Sequence, residues 1–388
     1  MKIKKSSLDT FLILLIMFVT ILPLFIAKQL VLLSLSFLLV RIVISVDIFF
    51  YAKNKIIIFT LLMPGILGAF FASPEDLVRF SGILLIVLGF PYSSFKIKHF
   101  PIVVLSSIIL LYLIVTQILL LQGNQIILNF RDFGYDFELS DAHKNYGTTD
   151  NIIKNLFDFS YWKTRGGGLY YNPNTLAGVV IIYFFIFDIS RKYFNQIRSY
   201  GKKNWDKYFY WCIFSLVLFC LMQTKSKTFL IAFFAYLFFQ HLDIINLLRL
   251  RIKKKLIVTL FFGVAILSLF LQKAIEGLFL KSGSANIKYS IFFDYLEQVS
   301  VFNLIFGGIF FNFDFEYASW IGAAGLMGII AFFIFYKMVY QFLPESNALL
   351  ISLILISLAA SLFFSLLFVS ILIPLFVILL SSGKKFNK

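Results

Sequence analysis

The sequence predicts an all-α, polytopic integral membrane protein with about twelve transmembrane helices and two large external loops. Three observations carry that fold class. Hydrophobic residues make up 60% of the 388 and charged residues only 14%, about half the charged fraction of a soluble domain. Apolar stretches of roughly 17–25 residues recur from end to end. Most of the 35 basic residues flank those stretches instead of interrupting them. A β-barrel is excluded, because its strands alternate over about ten residues instead of running continuously apolar.

The spans read Thr10–Ala27, Leu30–Val46, Ile56–Ala72, Leu77–Phe90, Phe100–Gln122, Thr175–Ile189, Tyr208–Gln223, Phe229–Leu247, Leu256–Gln272, Ala318–Tyr336, Asn347–Phe363 and Phe364–Leu380. The fourth is short and also fits a re-entrant segment. The last two divide one apolar run of about 34 residues, too long for one crossing. The leading "MKIKKSS" resembles the start of a signal peptide, but no small-residue cleavage site follows, so the first run is expected to stay as a membrane helix.

Threading from a cytoplasmic N-terminus puts most basic residues inside, including Lys2, Lys4, Lys5, Lys53, Lys55, Lys96, Lys98, the Arg191–Lys207 group and "RLRIKKK" at Arg249–Lys255. Most of the 19 acids fall outside. That satisfies the positive-inside rule, with both termini cytoplasmic in a multi-pass protein of the cytoplasmic (inner) membrane. The net charge of +16 is therefore topological and implies membrane lipids as partners, not nucleic acid. Cys212 and Cys220 share one apolar run, lack metal-ligand spacing and lie too far apart on one helix for a disulfide. They read as packing residues.

Two segments break the short-loop pattern, 123–174 and 273–317, and both fall outside. At about 45–50 residues each they far exceed a connector and are expected to hold short helices and a task. Residues 1–388 otherwise read as a single transmembrane domain. The first loop closes with "TRGGGLYYNPNTLAG". Pro173 suits the first turn of the helix that follows, and Asn172 suits its cap. Gly166, Gly167 and Gly168 allow positive φ or close approach of a ligand. Exposed N–H groups at that helix start, beside Arg165 and Lys163, would suit an anion. The same residues also fit a tight turn, a cap and an arginine snorkelling to the interface.

The short outer turn "QTKSKT" places Lys225 and Lys227 outside, against the charge rule. In the second loop, Ile287–Phe302 sets Tyr289, Phe292, Phe293, Leu296 and Val299 near one face, as in a helix lying on the membrane surface. "FGGIFF" then reads as a turn, followed by Asp314 and Glu316. At i, i+2 these two carboxylates would face different sides of a helix. Arg41 lies within the second span and Asp47 near its inner end, but they do not share a face. Asp188 and His241 fit snorkelling at inner span ends, and His99 is a loop residue with no visible partner. Arg131, Asp132 and the acids up to Asp158 read as solvated loop residues or the lining of a sugar groove.

These residues carry a resemblance. "TRGGGLYYNPNTLAG" resembles the Arg-x-x-Gly…Asn-Pro-Asn-x-x-Ala signature of the O-antigen polymerase (Wzy) and O-antigen ligase superfamily. "QTKSKTFL" is similar to that family's Thr-x-Ser-Arg-x stretch, with Lys227 in the arginine's place. "FNLIFGGIFFNFDFEYASWIGAAGLMGII" is similar to its Asn-Pro-Leu-Phe-Gly-x-Gly, acidic or His-containing element, and Gly-x-x-Gly helix. Order, spacing and external placement agree across roughly residues 100–340. Leu304 stands where the family has proline, and Lys288 where it usually has arginine. Glu316 stands near the ligases' histidine, which leans towards a polymerase.

The resemblance implies a GT-C-like membrane fold and a metal-independent, inverting glycosyltransferase working on the outer face without a cofactor. It would join undecaprenyl-diphosphate-linked oligosaccharides, one as donor and one as acceptor, for O-antigen, capsule or related surface polysaccharide. A flippase and a chain-length regulator would be its neighbours in that work. Arg165 would grip the leaving diphosphate through its fork, supported by Lys227, Lys288 and Lys225. Glu316, then Asp314, and more distantly His143, would take the acceptor hydroxyl's proton. Gly166, Gly168, Asn172, Pro173 and Asn174 would shape the turn. A ligase shares this chemistry. A lipid-linked oligosaccharide flippase, which is no enzyme, would instead show short loops and a charged central path.

Overall fold

The computed structural model describes residues 5–22, 26, 30, 33–34, 36–38, 40–41, 52–72, 95–132, 167–170, 172–197, 203–241, 283–307, 316–342, 347–357 and 366–383. Among these every regular element is helical: α1 (Lys5–Val19), α2 (Ala52–Ala72), α3 (His99–Leu121), α4 (Gln125–Asp132), a 3-10 turn (Gly168–Tyr170), α5 (Pro173–Ile197), α6 (Lys203–Thr224), α7 (Lys227–His241), α8 (Gly283–Gln298), α9 (Val301–Phe306), α10 (Glu316–Phe342), α11 (Asn347–Ser357) and α12 (Leu366–Gly383). Three are long and apolar enough to cross a membrane, His99–Leu121, Pro173–Asn195 and Asp206–Thr224. The predicted fourth and ninth spans lie outside the described residues.

The helix bounds depart from the predicted spans where local chemistry dictates. The first span was expected to run to Ala27, but α1 stops at Val19 and the chain turns through Thr20 and Ile21. The tenth, expected unbroken, is broken inside α10 at Gly325, whose φ of 62° and ψ of −159° are not helical. Both long loops carry helices of their own: α4 in the first, with Asn124 Oδ1 accepting from the Ile127 N–H at 3.2 Å, and α8 and α9 in the second.

The chain falls into two compact units. Unit 1 comprises Met1–Tyr51, Ser81–Leu230 and Ser365–Lys388; unit 2 comprises Ala52–Phe80 and Ile231–Phe364. In unit 1, α5 is the central helix. Each apolar side chain from Leu176 to Phe187 is fully buried, as befits a helix that is hydrophobic all round, and α1, α3, α6 and α12 surround it. Its neighbours keep their own polar groups internal. On α3, Ser106, Ser107 and Thr116 donate to carbonyls one turn back, at 2.7, 2.7 and 2.8 Å, which gives each of these three hydroxyls an acceptor in an apolar setting.

In unit 2, α10 packs against α2, α9 and α11, and Ser352 Oγ ties α11 to the Ala232 carbonyl at 2.8 Å. The amphipathic stretch of the second loop becomes α8. Its Phe292 and Tyr295 are buried against Ala318 and Ile321 of α10, with Leu296 and Val299 alongside. Protein covers this face, so α8 does not present it to a membrane surface as the sequence suggested.

Candidate functional site

The glycine-rich motif is built as the sequence anticipates, with one change of consequence. Gly168 has φ of +55°, and a Cβ there would stand 3.1 Å from both Gln117 Oε1 and a Leu176 methyl. Only glycine takes that backbone and that space without strain. The 3-10 turn then leads to Asn172, whose Oδ1 accepts from the Asn174 N–H at 2.8 Å and whose carbonyl accepts from the Leu176 N–H at 3.1 Å. Asn172 is the cap, and Pro173 opens α5. The change concerns anions: Pro173 has no N–H, and those of Asn174 and Leu176 are taken. Most of this helix start is satisfied from within, so any negative charge held here depends on side-chain cations.

Tyr170 anchors the turn. Its hydroxyl donates to the Thr20 carbonyl at 3.0 Å, just past the end of α1. The Tyr183 hydroxyl, on α5, donates to the Met17 carbonyl at 2.9 Å and also pairs with the Thr20 hydroxyl. Burial, reinforced by the neighbouring phenols Tyr183 and Tyr112, holds the Tyr170 phenol well above the usual tyrosine range. It therefore stays a donor at ordinary pH.

The second motif meets the first. Ser226 Oγ donates to Asn174 Oδ1 at 2.7 Å, across 52 residues of sequence. Between α6 and α7, Lys225 sits with φ of 51° and is buried. A left-handed backbone costs a non-glycine residue about 1–2 kcal/mol, so glycine would be the cheaper choice and lysine holds the place against it. Lys227, expected as the principal cation of this turn, is the exposed first residue of α7.

The third motif closes on itself within unit 2. Ser300 caps α9 by accepting from the Asn303 N–H at 3.1 Å, and Gly307 ends it at φ of 77°. A Cβ on Gly325 would stand 2.6 Å from the Gly307 nitrogen and collide with the Ile305 carbonyl. The "FG" of the loop and the middle glycine of "GAAGLMG" are thus in backbone contact, and the break in α10 lies at that contact. Lys288 lies on α8 and Glu316 opens α10, but their side chains fall outside the described residues. So do Arg165, Gly166, Asp314, His143 and Asp47.

The opposite end of unit 1 answers other questions raised by the sequence. Arg41, read as a lone intramembrane charge, forks onto Asp9 of α1 at 2.6 and 3.0 Å. The Lys96 N–H completes the carboxylate at 3.0 Å, and Phe95 lies 5.4 Å from the guanidinium. Asp188 does not snorkel. It is 1% exposed and paired with Arg191 and Lys192, each at 3.3 Å, while Arg191 also reaches Asp206 at 2.6 Å. His99, read as a loop residue, is the buried first residue of α3, its ring tilted against Tyr193 at 5.4 Å between centroids. Arg131, read as a solvated loop residue or the lining of a sugar groove, is buried and forks onto Asp132.

The structure therefore brings together the Gly168–Asn174 turn and the Lys225–Ser226 turn in unit 1. It adds Gln117, Thr20 and Tyr170, which the sequence did not single out. Nothing local marks Gln117, one polar residue in an apolar helix; its meaning comes from Gly168. Asp9 could have been found by asking what neutralises Arg41. No family model and no curated protein matches this sequence.

Proposed function

We propose that the protein is a polymerase of lipid-linked oligosaccharide repeat units, an inverting, metal-independent glycosyltransferase. In this reading about twelve spans carry a GT-C-like fold in the cytoplasmic membrane, with the chemistry on the outer face. The observation that supports it best is the bond between Ser226 and Asn174. It joins two of the three stretches that resemble the polymerase and ligase superfamily, and it sets the buried Lys225 beside the capped start of α5. A diphosphate leaving group gains charge in the transition state, and a fixed cation in a dry site stabilises it far better than water would. With the helix start largely capped, that duty rests on Arg165 and Lys225, with Lys227 and Lys288 as further cations. Glu316, then Asp314, serves as base for the acceptor hydroxyl.

The test uses a strain lacking this protein, complemented at matched expression with wild type, Arg165→Ala or Glu316→Ala, with surface glycan resolved by size. Wild type should restore a ladder of repeats. Each variant should leave mostly single units, a loss of about 10²–10³ in rate for a removed charge-stabilising donor. A full ladder from both variants would show the assigned site to be wrong. Deletion that traps lipid-linked units on the cytoplasmic face would replace the polymerase with a flippase, and polymer that forms but is not passed to its final acceptor would mark a ligase.

A further inference from the structure

A buried side-chain amide with no partner costs about 1–3 kcal/mol for each group left unsatisfied, and folded proteins seldom keep one without a use. Gln117 is such a group. It is 1% exposed, and among the described residues neither Oε1 nor Nε2 has a hydrogen-bond partner. It sits about one turn before the end of α3, with Oε1 against Gly168. The other polar side chains of this neighbourhood are engaged: Thr116 with its own helix, Asn172 with the Asn174 N–H, and Asn174 with Ser226.

The chemistry of the amide selects its ligand. A carboxamide shows a donor and an acceptor side by side. A phosphate or carboxylate offers acceptors only and would face Oε1 unfavourably, and a hydrocarbon chain offers nothing. Two neighbouring hydroxyls of a sugar ring match the fork, one accepting from Nε2 and the other donating to Oε1. What covers the amide is a three-residue 3-10 turn that starts at a left-handed glycine and is tied to α1 by the Tyr170 hydroxyl. To reach Gln117 a sugar would displace this turn, which packs on Leu176 of α5 through Gly168.

We propose that Gln117 is a substrate-binding residue whose carboxamide holds two adjacent hydroxyls of one sugar of the lipid-linked glycan, at the Gly168 turn. This rests on the glycan-transfer reading above. The purified protein in detergent is given lipid-linked repeat units extracted from the strain that lacks it, and compared with Gln117→Leu. Polymerisation is followed against substrate concentration, and the thermal midpoint is read with and without substrate.

Leucine should leave the midpoint of the protein alone unchanged or higher, since a buried unsatisfied amide is gone. It should abolish the rise caused by substrate and increase KM about tenfold. A lower midpoint with unchanged KM would make Gln117 a packing residue, and a variant identical to wild type in every readout would overturn the proposal by itself. Should leucine prevent folding, Gln117→Met, straighter and closer in shape, takes its place with the same criteria. If wild type neither polymerises these units nor is stabilised by them, the glycan-transfer reading has failed and this assignment falls with it.

Discussion

At one end of unit 1, Asp9, Arg41, Asp188, Arg191 and Asp206 each meet an opposite charge at 2.6 to 3.3 Å. At the other end amides, hydroxyls and the buried, left-handed Lys225 gather near a left-handed glycine, and among the described residues Gln117 has no hydrogen-bond partner. Both ends bury polar groups and both leave some atoms without a hydrogen bond, Ser190 Oγ and Arg191 Nε at the first and Gln117 at the second, but only the first is held by paired charges. A buried charge costs several kcal/mol unless paired, so the paired end reads as a latch that fixes how α1, α3, α5 and α6 pack. A buried amide costs less, about 1–3 kcal/mol, a size that binding a ligand can recover. Paired charge marks the scaffold end, and an amide with both polar atoms unpartnered beside a left-handed glycine marks the candidate site.

The strongest way to break this contrast is at the latch. Arg41→Met leaves the fully buried Asp9 without its cation and should cost about 3–5 kcal/mol, read as the thermal midpoint of the detergent-solubilised protein. Asp9→Leu with Arg41→Met should recover part of that loss, short of the Lys96 N–H bond to Asp9, and still restore the glycan ladder, because no charge is then left buried alone. A double variant that is stable but makes no polymer would move function to this end of the unit.

A smaller effect sharpens the other end. Gly168→Ala forces a side chain into φ of +55° and against Gln117, for about 1–2 kcal/mol from the backbone. Chain length on the gel should shorten more than the midpoint falls, because the turn distorted is the one that covers the site. If only the midpoint moves, the turn is scaffold. Smallest is Tyr170→Phe, which leaves the Thr20 carbonyl without its donor and should lower stability by about 0.5–1.5 kcal/mol. Because the phenol stays protonated at ordinary pH, that difference should not change between neutral and mildly alkaline buffer.

Much of this was legible in residue order. Pro173 and Asn172 fixed the start of α5 by chemistry that acts within three residues. The apolar run placed α3 to within one residue at each end, while α5 runs eight residues beyond its predicted end and α6 starts five before its predicted start, because polar residues extend those helices past the apolar core. The end of α1 at Val19 and the break in α10 at Gly325 were also missed. The face of α8 was found in part, through Phe292, Tyr295 lying beside it unmarked, but not what covers it: the face-to-face fit of α8 on α10 depends on residues more than twenty positions away.

The sequence by itself determined the helical class, the polar caps and the three motif stretches, since propensity, hydrophobic length and capping are local. Only the tertiary structure decided that Arg41 belongs to Asp9, that Asn174 meets Ser226, that Gly307 touches Gly325, and that Gln117 waits against Gly168. Each of these pairs joins distant segments, and burial gives their partners energetic weight. A residue's partner in an apolar interior is set by which helices pack together, and no local pattern records that.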